Sequence, residues 1–93
     1  MPRTSPYDRL TDRQAKTMLK ELDRALEYAE GSWAKLAERL SSHTGDSLSA
    51  QAVFSWAVRG VPAERAVDLE HATDGYVVRQ RLRPDLFEGM RAS

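Results

Sequence analysis

The sequence contains no cysteine. That absence excludes disulfide frameworks, thiolate zinc sites and cysteine nucleophiles together. Secreted domains this small usually carry disulfides, so the composition favours a reducing cytoplasm. Long apolar runs are also missing. None exceeds three residues, as in Ala52-Val53-Phe54, so neither a transmembrane helix nor a signal peptide fits and no membrane partner is expected. The five glycines are scattered singly, which leaves no glycine-rich loop to cradle a phosphate. Net charge is missing as well: 14 basic residues face 14 acidic ones. A nucleic-acid binder working by bulk attraction is disfavoured, whereas one with cations gathered on a single face is not.

What remains is one domain's worth of ordinary soluble chain: 93 residues, 41% hydrophobic and 30% charged, burying roughly 60–65% of its unfolded surface on folding. Eleven of the 14 cations are arginine, the cation suited to two-pronged contacts with phosphate and guanine. Residues 1–30 and 31–48 are each neutral, residues 49–75 carry −2, and residues 76–93 carry +2.

Residues 1–10, with Pro2 and Pro6, read as a loose lead-in pinned by Tyr7 and Leu10. Thr11 and Gln14 form a capping box. Met18, Leu19, Leu22, Ala25, Leu26 and Ala29 then recur at helical spacing, predicting a first helix that runs to Glu30 and stops at Gly31. Ser32 is placed as the N-cap of a second helix, with Trp33, Leu36, Ala37 and Leu40 on its apolar side. The polar stretch Ser41–Ser47 ends it. Ser49 caps a third helix over 50–59, closed by Gly60, with Val53, Trp56 and Ala57 inward. Pro62 suits the first position of a fourth helix, with Ala66, Leu69 and Ala72 buried. Asp74-Gly75 is a turn, Tyr76-Val77-Val78 is short and β-prone, and Arg79–Leu82 makes a helical turn stopped by Pro84. The sum is an all-α, compact four- to five-helix domain over 11–83, with a tail over 84–93.

Catalysis has little to work with. His43 lies in the polar stretch and His71 in helix 4, and neither has partners at metal-ligand spacing. His71, near Glu70 and Asp74, reads as a helix-surface group. The carboxylates interleave with cations on solvated faces. No enzyme activity, metal or cofactor is expected.

Helices 2 and 3 instead meet the demands of a helix-turn-helix. The first helix of such a pair crosses the phosphate backbone, and the second presents its outward N-terminal residues to base edges in the major groove. Leu36, Ala37 and Leu40 suit the crossing, Leu48 plugs the turn, and Ser49, Gln51 and Ser55 leave polar groups outside.

Gly31-Ser32, Leu36-Ala37, Leu48-Ser49, Val53, Trp56, Gly60, Pro62-Ala63-Glu64-Arg65-Ala66, Leu69-Glu70, Ala72-Thr73, Gly75 and Leu82-Arg83-Pro84-Asp85 together resemble the YdaS-type, Cro-like repressors of phages and prophages. The similarity runs from about Leu19 to Phe87. Val53 and Trp56 alone are shared by many helix-turn-helix proteins, and the two downstream pieces carry more specificity. The resemblance implies a lambda-repressor-like fold and a bacterial transcriptional regulator. Such a regulator works in the cytoplasm, on the nucleoid when bound, on double-stranded DNA as a homodimer or homotetramer. One departure is the spacing of Leu40 and Leu48, wider than the short turn usual in that family. Helix 2 either continues through Ser42 or gives way to an enlarged loop.

Within this frame Ser49, Ala50, Gln51, Phe54 and Ser55 are the base-contact candidates. Gln pairs with adenine through two hydrogen bonds, and Phe54 suits a thymine methyl or a protein partner. Ser32, Trp33, Lys35, Arg39, Arg59 and Arg65 are the phosphate-contact candidates. All but Arg59 have a structural alternative: a cap for Ser32, core for Trp33, pairing with Glu38 or its neighbours for Lys35 and Arg39, pairing with Asp68 or Glu64 for Arg65. Arg79, Arg81 and Arg83 serve either flanking DNA or packing. Leu86, Phe87 and Met90 either meet another subunit or fold back on helix 1. The competing function is a helix-turn-helix fold reused for protein contact, such as a phage protein engaging host transcription machinery or an antitoxin-like regulator.

Overall fold

The computed structural model of the chain describes residues 10–87. Residues 1–9 of the lead-in, including Tyr7, and Met90 lie outside them. Six helices follow one another: α1 (Asp12–Tyr28), α2 (Trp33–Thr44), α3 (Ala50–Arg59), α4 (Ala63–Ala72), α5 (Arg79–Leu82) and α6 (Pro84–Phe87). No strand occurs among the described residues.

The caps explain the boundaries. At Thr11 the side chain accepts from the Gln14 amide at 3.1 Å while the Gln14 side chain accepts from the Thr11 amide at 3.0 Å, satisfying two donors that have no partner inside the helix. Helix α1 stops at Tyr28, two residues short of the expected end. Glu30 and Gly31 then turn left-handed at φ 61° and 75°, and the Gly31 amide reaches back to the Leu26 carbonyl at 2.8 Å, a Schellman closure. The same closure ends α4, where Asp74 and Gly75 have φ 53° and 81° and the Gly75 amide bonds to the Glu70 carbonyl. Pro62 is the N-cap of α4 rather than its first residue.

Helix α2 continues to Thr44, so Ser41–Thr44 are helical and only 45–49 turn. Hydroxyl groups make this possible. Ser41 and Thr44 donate to the Ala37 and Leu40 carbonyls at 2.8 and 2.9 Å, so polar side chains are satisfied inside the helix. Gly45, at φ 82°, then supplies the left-handed stop.

The core is one cluster: Met18, Leu22 and Ala25 from α1, Leu36, Ala37 and Leu40 from α2, Val53 and Trp56 from α3, Val61, Ala66, Leu69 and Ala72 around α4, then Val77 and Leu82. Leu19, expected on the inward face of α1, is 41% exposed, because the buried seam follows 18, 22 and 25. The β-prone Tyr76-Val77-Val78 forms no strand. Val77 is buried in the core, and the Val78 amide bonds to the buried Glu21 carboxylate at 2.9 Å. Thr73 joins this knot by accepting from the Val77 amide and donating to the Leu69 carbonyl at 2.7 Å.

Of Arg79, Arg81 and Arg83, Arg79 and Arg83 pack, whereas Arg81 is exposed. Arg79 binds Glu70 through its backbone amide at 2.8 Å and its guanidinium at 3.1 Å. Arg83 is 4% exposed. It grips Asp85 with two bonds, at 2.9 and 2.6 Å, and donates to the Val61 carbonyl at 3.1 Å. Pro84 is buried and Phe87 lies against the core.

Removing one partner of a buried ion pair leaves a charge without compensation. Arg83→Ala is expected to destabilise the domain by about 3 kcal/mol, read as a lower urea midpoint at unchanged m-value. Glu70 yields a pH prediction. Burial alone would raise its pKa, but the Arg79 side-chain and backbone hydrogen bonds outweigh burial and hold it below its ordinary 4.5. Its stabilisation is therefore complete above pH 4.5 and fades as pH falls through the lower folded-state value. Protection factors at Arg79–Leu82, corrected for the intrinsic pH dependence of amide exchange, should fall on acidification below that point, and Glu70→Gln should already lower them at neutral pH.

Candidate functional site

Helix α3 packs mainly against α2. Its start is set by Ser49, whose hydroxyl accepts from the Ala52 amide at 3.1 Å. Its end is set by Gly60, whose amide bonds to the Trp56 carbonyl at 2.9 Å. Val53 and Trp56 turn inward. The opposite side carries Gln51, Phe54 and Val58, all exposed, with Arg59 at the end. Phe54 is 48% exposed and Val58 64%.

The attitude of α3 is fixed at both ends. At the front, the Ser41 hydroxyl accepts from the Leu48 amide at 2.9 Å, seating Leu48 against the core. Behind α3, Val61 is fully buried. Its amide donates to the Met18 sulfur at 3.4 Å and its carbonyl accepts from Arg83.

Of the expected base-contact residues, Ser49, Gln51 and Phe54 are exposed, whereas Ala50 and Ser55 are half-buried. Ser55 donates to the Ala52 carbonyl at 2.5 Å, which leaves its oxygen as an acceptor only. Phe54 meets Trp33 edge-to-face, with centroids 5.5 Å apart and planes at 85°. That contact brings the start of α2 beside the outer face of α3. Ser32 caps α2 by accepting from the Lys35 amide at 3.2 Å.

The cations are distributed unevenly. Lys35 pairs with Glu30 rather than Glu38. The hydrogen bond between them, and then their mutual charge, push the Glu30 carboxyl below and the Lys35 ammonium above their ordinary values. Both side chains stay exposed. Arg39 turns away from α3. It donates to the Ala72 carbonyl at 3.0 Å and the Tyr28 hydroxyl at 3.2 Å, and its guanidinium lies over the Tyr28 ring. Arg65 pairs with Asp68 at 3.0 Å and Asp46 at 3.2 Å. Burial opposes its charge, but these two carboxylates more than compensate and its pKa rises. Arg59 is exposed and forms no ion pair among the described residues. Leu86 is 39% exposed.

Two features were not anticipated from the sequence. Val58 continues the outer stripe one turn beyond Phe54, and its spacing of four from Phe54 and seven from Gln51 was a usable signal. Residues 47–63 also contain no acidic residue, so the whole of α3 and both its flanks lack carboxylates. Elsewhere, Arg24, Tyr76, Tyr28 and Arg39 stack in order, at 4.8, 5.5 and 4.7 Å. Arg39 also lines an open cleft of about 620 Å³, together with Lys35, Glu38, His43, His71 and Asp74, among others. Residues from three separate segments build this stack, so no local pattern marks it. Among the described residues no group of three His, Cys, Asp or Glu side chains is placed to hold a metal, and no helix is long and apolar enough to cross a membrane.

The family model described as Bacterial toxin YdaS matches residues 22–90. No curated protein and no solved structure matches the chain.

The Ser41 hydroxyl is the local determinant of how α3 leaves the turn. Ser41→Ala should cost about 1–3 kcal/mol, because the part-buried Leu48 amide loses its partner. Chemical-shift changes should concentrate in 45–52 and spare α1.

Proposed function

The chain belongs to the YdaS family, and from that membership together with the open face of α3 we propose that it is a sequence-specific DNA-binding transcriptional regulator. The observation that carries this reading is α3 itself: a capped helix, bare of acidic residues, whose outer side displays Gln51, with Phe54 set against Trp33 at the start of α2. Helices α2 and α3 act as a helix-turn-helix. Ten residues of helix are about 15 Å long, enough to lie in a major groove about 12 Å wide.

The roles follow from placement. Gln51 reads adenine through its amide. Ser32, the amides at the start of α2, Lys35 and Arg59 hold phosphates, with Lys35 exchanging Glu30 for phosphate. Arg39 and Arg65 are already bonded within the domain and contribute little. Few phosphates are therefore neutralised, and specificity rests on base edges. Two half-sites read by a homodimer or homotetramer supply the remaining affinity, with exposed Leu86 as the described contact candidate. The family's description as a toxin is compatible with this reading, since occupying promoters alters a cell without any catalysis.

A protein partner is the second reading, and the exposure of Phe54 and Val58 favours it. Selection from a random duplex library followed by anisotropy separates the two. A sequence preference is expected, with log K falling against log salt at a slope of about −2 to −4. Gln51→Ala should weaken the selected duplex by about 1–3 kcal/mol and relax preference at one base pair, with an unchanged urea midpoint. Failure to enrich any duplex would sink the DNA reading.

A further inference from the structure

We propose that the outer stripe of α3 recognises thymine methyl groups, so that the half-site is a short A·T-containing core. This inference rests on the DNA reading above and names the bases within it. Three side chains on successive turns face outward: Gln51, Phe54 and Val58. Two of the three are apolar, 48% and 64% exposed. In the major groove the apolar base feature is the C5 methyl of thymine, while the adenine edge offers the acceptor–donor pair that fits a Gln amide. A stripe of one amide and two hydrocarbons therefore matches A·T pairs. It offers no bidentate cation to the guanine edge, since Arg59 sits at the last position of the helix.

The geometry supports the match in two further ways. From Gln51 to Val58 the helix climbs about 10 Å, the rise of about three base pairs at 3.4 Å each. Phe54 is also braced from the side by the Trp33 ring, so it enters the groove as an oriented edge rather than a mobile group. The surrounding charge fits a polyanion: residues 47–63 contain no acidic residue, and the nearest carboxylate before them, Asp46, is paired with Arg65.

The test uses the duplex enriched from the random library and copies in which one thymine at a time is replaced by deoxyuridine, which deletes only the methyl. Anisotropy should show about a fourfold loss at each of one or two thymines, the effect of withholding one buried methyl group. Phe54→Ala should abolish the sensitivity at one of these positions and Val58→Ser at the other. Both side chains are exposed, and Val58→Ser serves where Phe54→Ala disturbs Trp33. If every deoxyuridine duplex binds like the parent while Gln51→Ala still changes the preference, the methyl inference falls and the DNA reading stands. If no duplex is enriched, both fall and the stripe belongs to a protein partner.

Discussion

The two backbone groups of Val61 are the constraint on which the arrangement depends. They lie in the link between α3 and α4, fully buried, where no water is available to satisfy them. Their partners come from 43 residues before and 22 residues after: the Met18 sulfur and the Arg83 guanidinium. One peptide segment thus ties α1, the α3–α4 junction and the carboxy-terminal helices together. Because the link is anchored from behind and Leu48 is seated in front, α3 needs no cover on its outer side. Asp85 completes the device. Without its carboxylate, the buried guanidinium of Arg83 would lack a counter-charge.

The same economy governs the charges. The abundance of arginine suggests phosphate binding when seen as composition, yet Arg24, Arg39, Arg65, Arg79 and Arg83 all bond to carbonyls or carboxylates, or lie against rings. Arginine suits this work because its fork meets two acceptors at once. These five guanidinium groups are therefore committed to holding the fold, and on the DNA reading proposed above phosphate contacts would fall to the cations that are not so engaged. Those with latitude are spread over the fold: Arg13, Lys16 and Lys20 on α1, the exposed pair member Lys35 near the start of α2, Arg59 at the end of α3 and Arg81 in α5. On that reading, the fewer the phosphates contacted, the smaller the gain from counterion release and the more discrimination falls to direct contact.

The sequence was legible wherever a local rule sufficed. Thr11, Ser32, Ser49 and Gly60 mark helix ends through short-range capping, and spacing alone assigned most of the core. It was illegible wherever a partner came from far away. Ser41–Thr44 look like a loop in composition, yet they continue α2, with the Ser41 and Thr44 hydroxyls satisfied by carbonyls of the preceding turn. Tyr76-Val77-Val78 has strand chemistry but no strand to pair with, and Glu21 captures the Val78 amide from 57 residues away. Arg65 shows both cases in one side chain. Asp68, one turn on, was foreseeable, whereas Asp46 arrives through the turn of α2. On α3 the cap, Gln51 and Phe54 could be placed from the pattern, while Val58 was hidden by its resemblance to ordinary core residues.

Val58 and Phe54 also bear on why the outer face is what it is. Burying such a side chain yields about 1.5–3 kcal/mol, and Val58 at 64% exposure realises little of it within the monomer. Lysine or glutamate there would suit the helix at least as well and would improve solubility. The fold therefore has no need of hydrocarbon at these positions, and the missing stabilisation is available only when something apolar meets the stripe. Leu19 is exposed too, but it borders the buried seam of α1, so its exposure is an edge effect of core packing. Phe54 and Val58 lie on the far side of α3 from Val53 and Trp56, and although Phe54 touches Trp33 edge-on, the two side chains stay 48% and 64% exposed. On the DNA reading proposed above, the apolar surface that meets them is the row of thymine methyls on the floor of a major groove, and on the alternative reading it is an apolar patch of a protein partner.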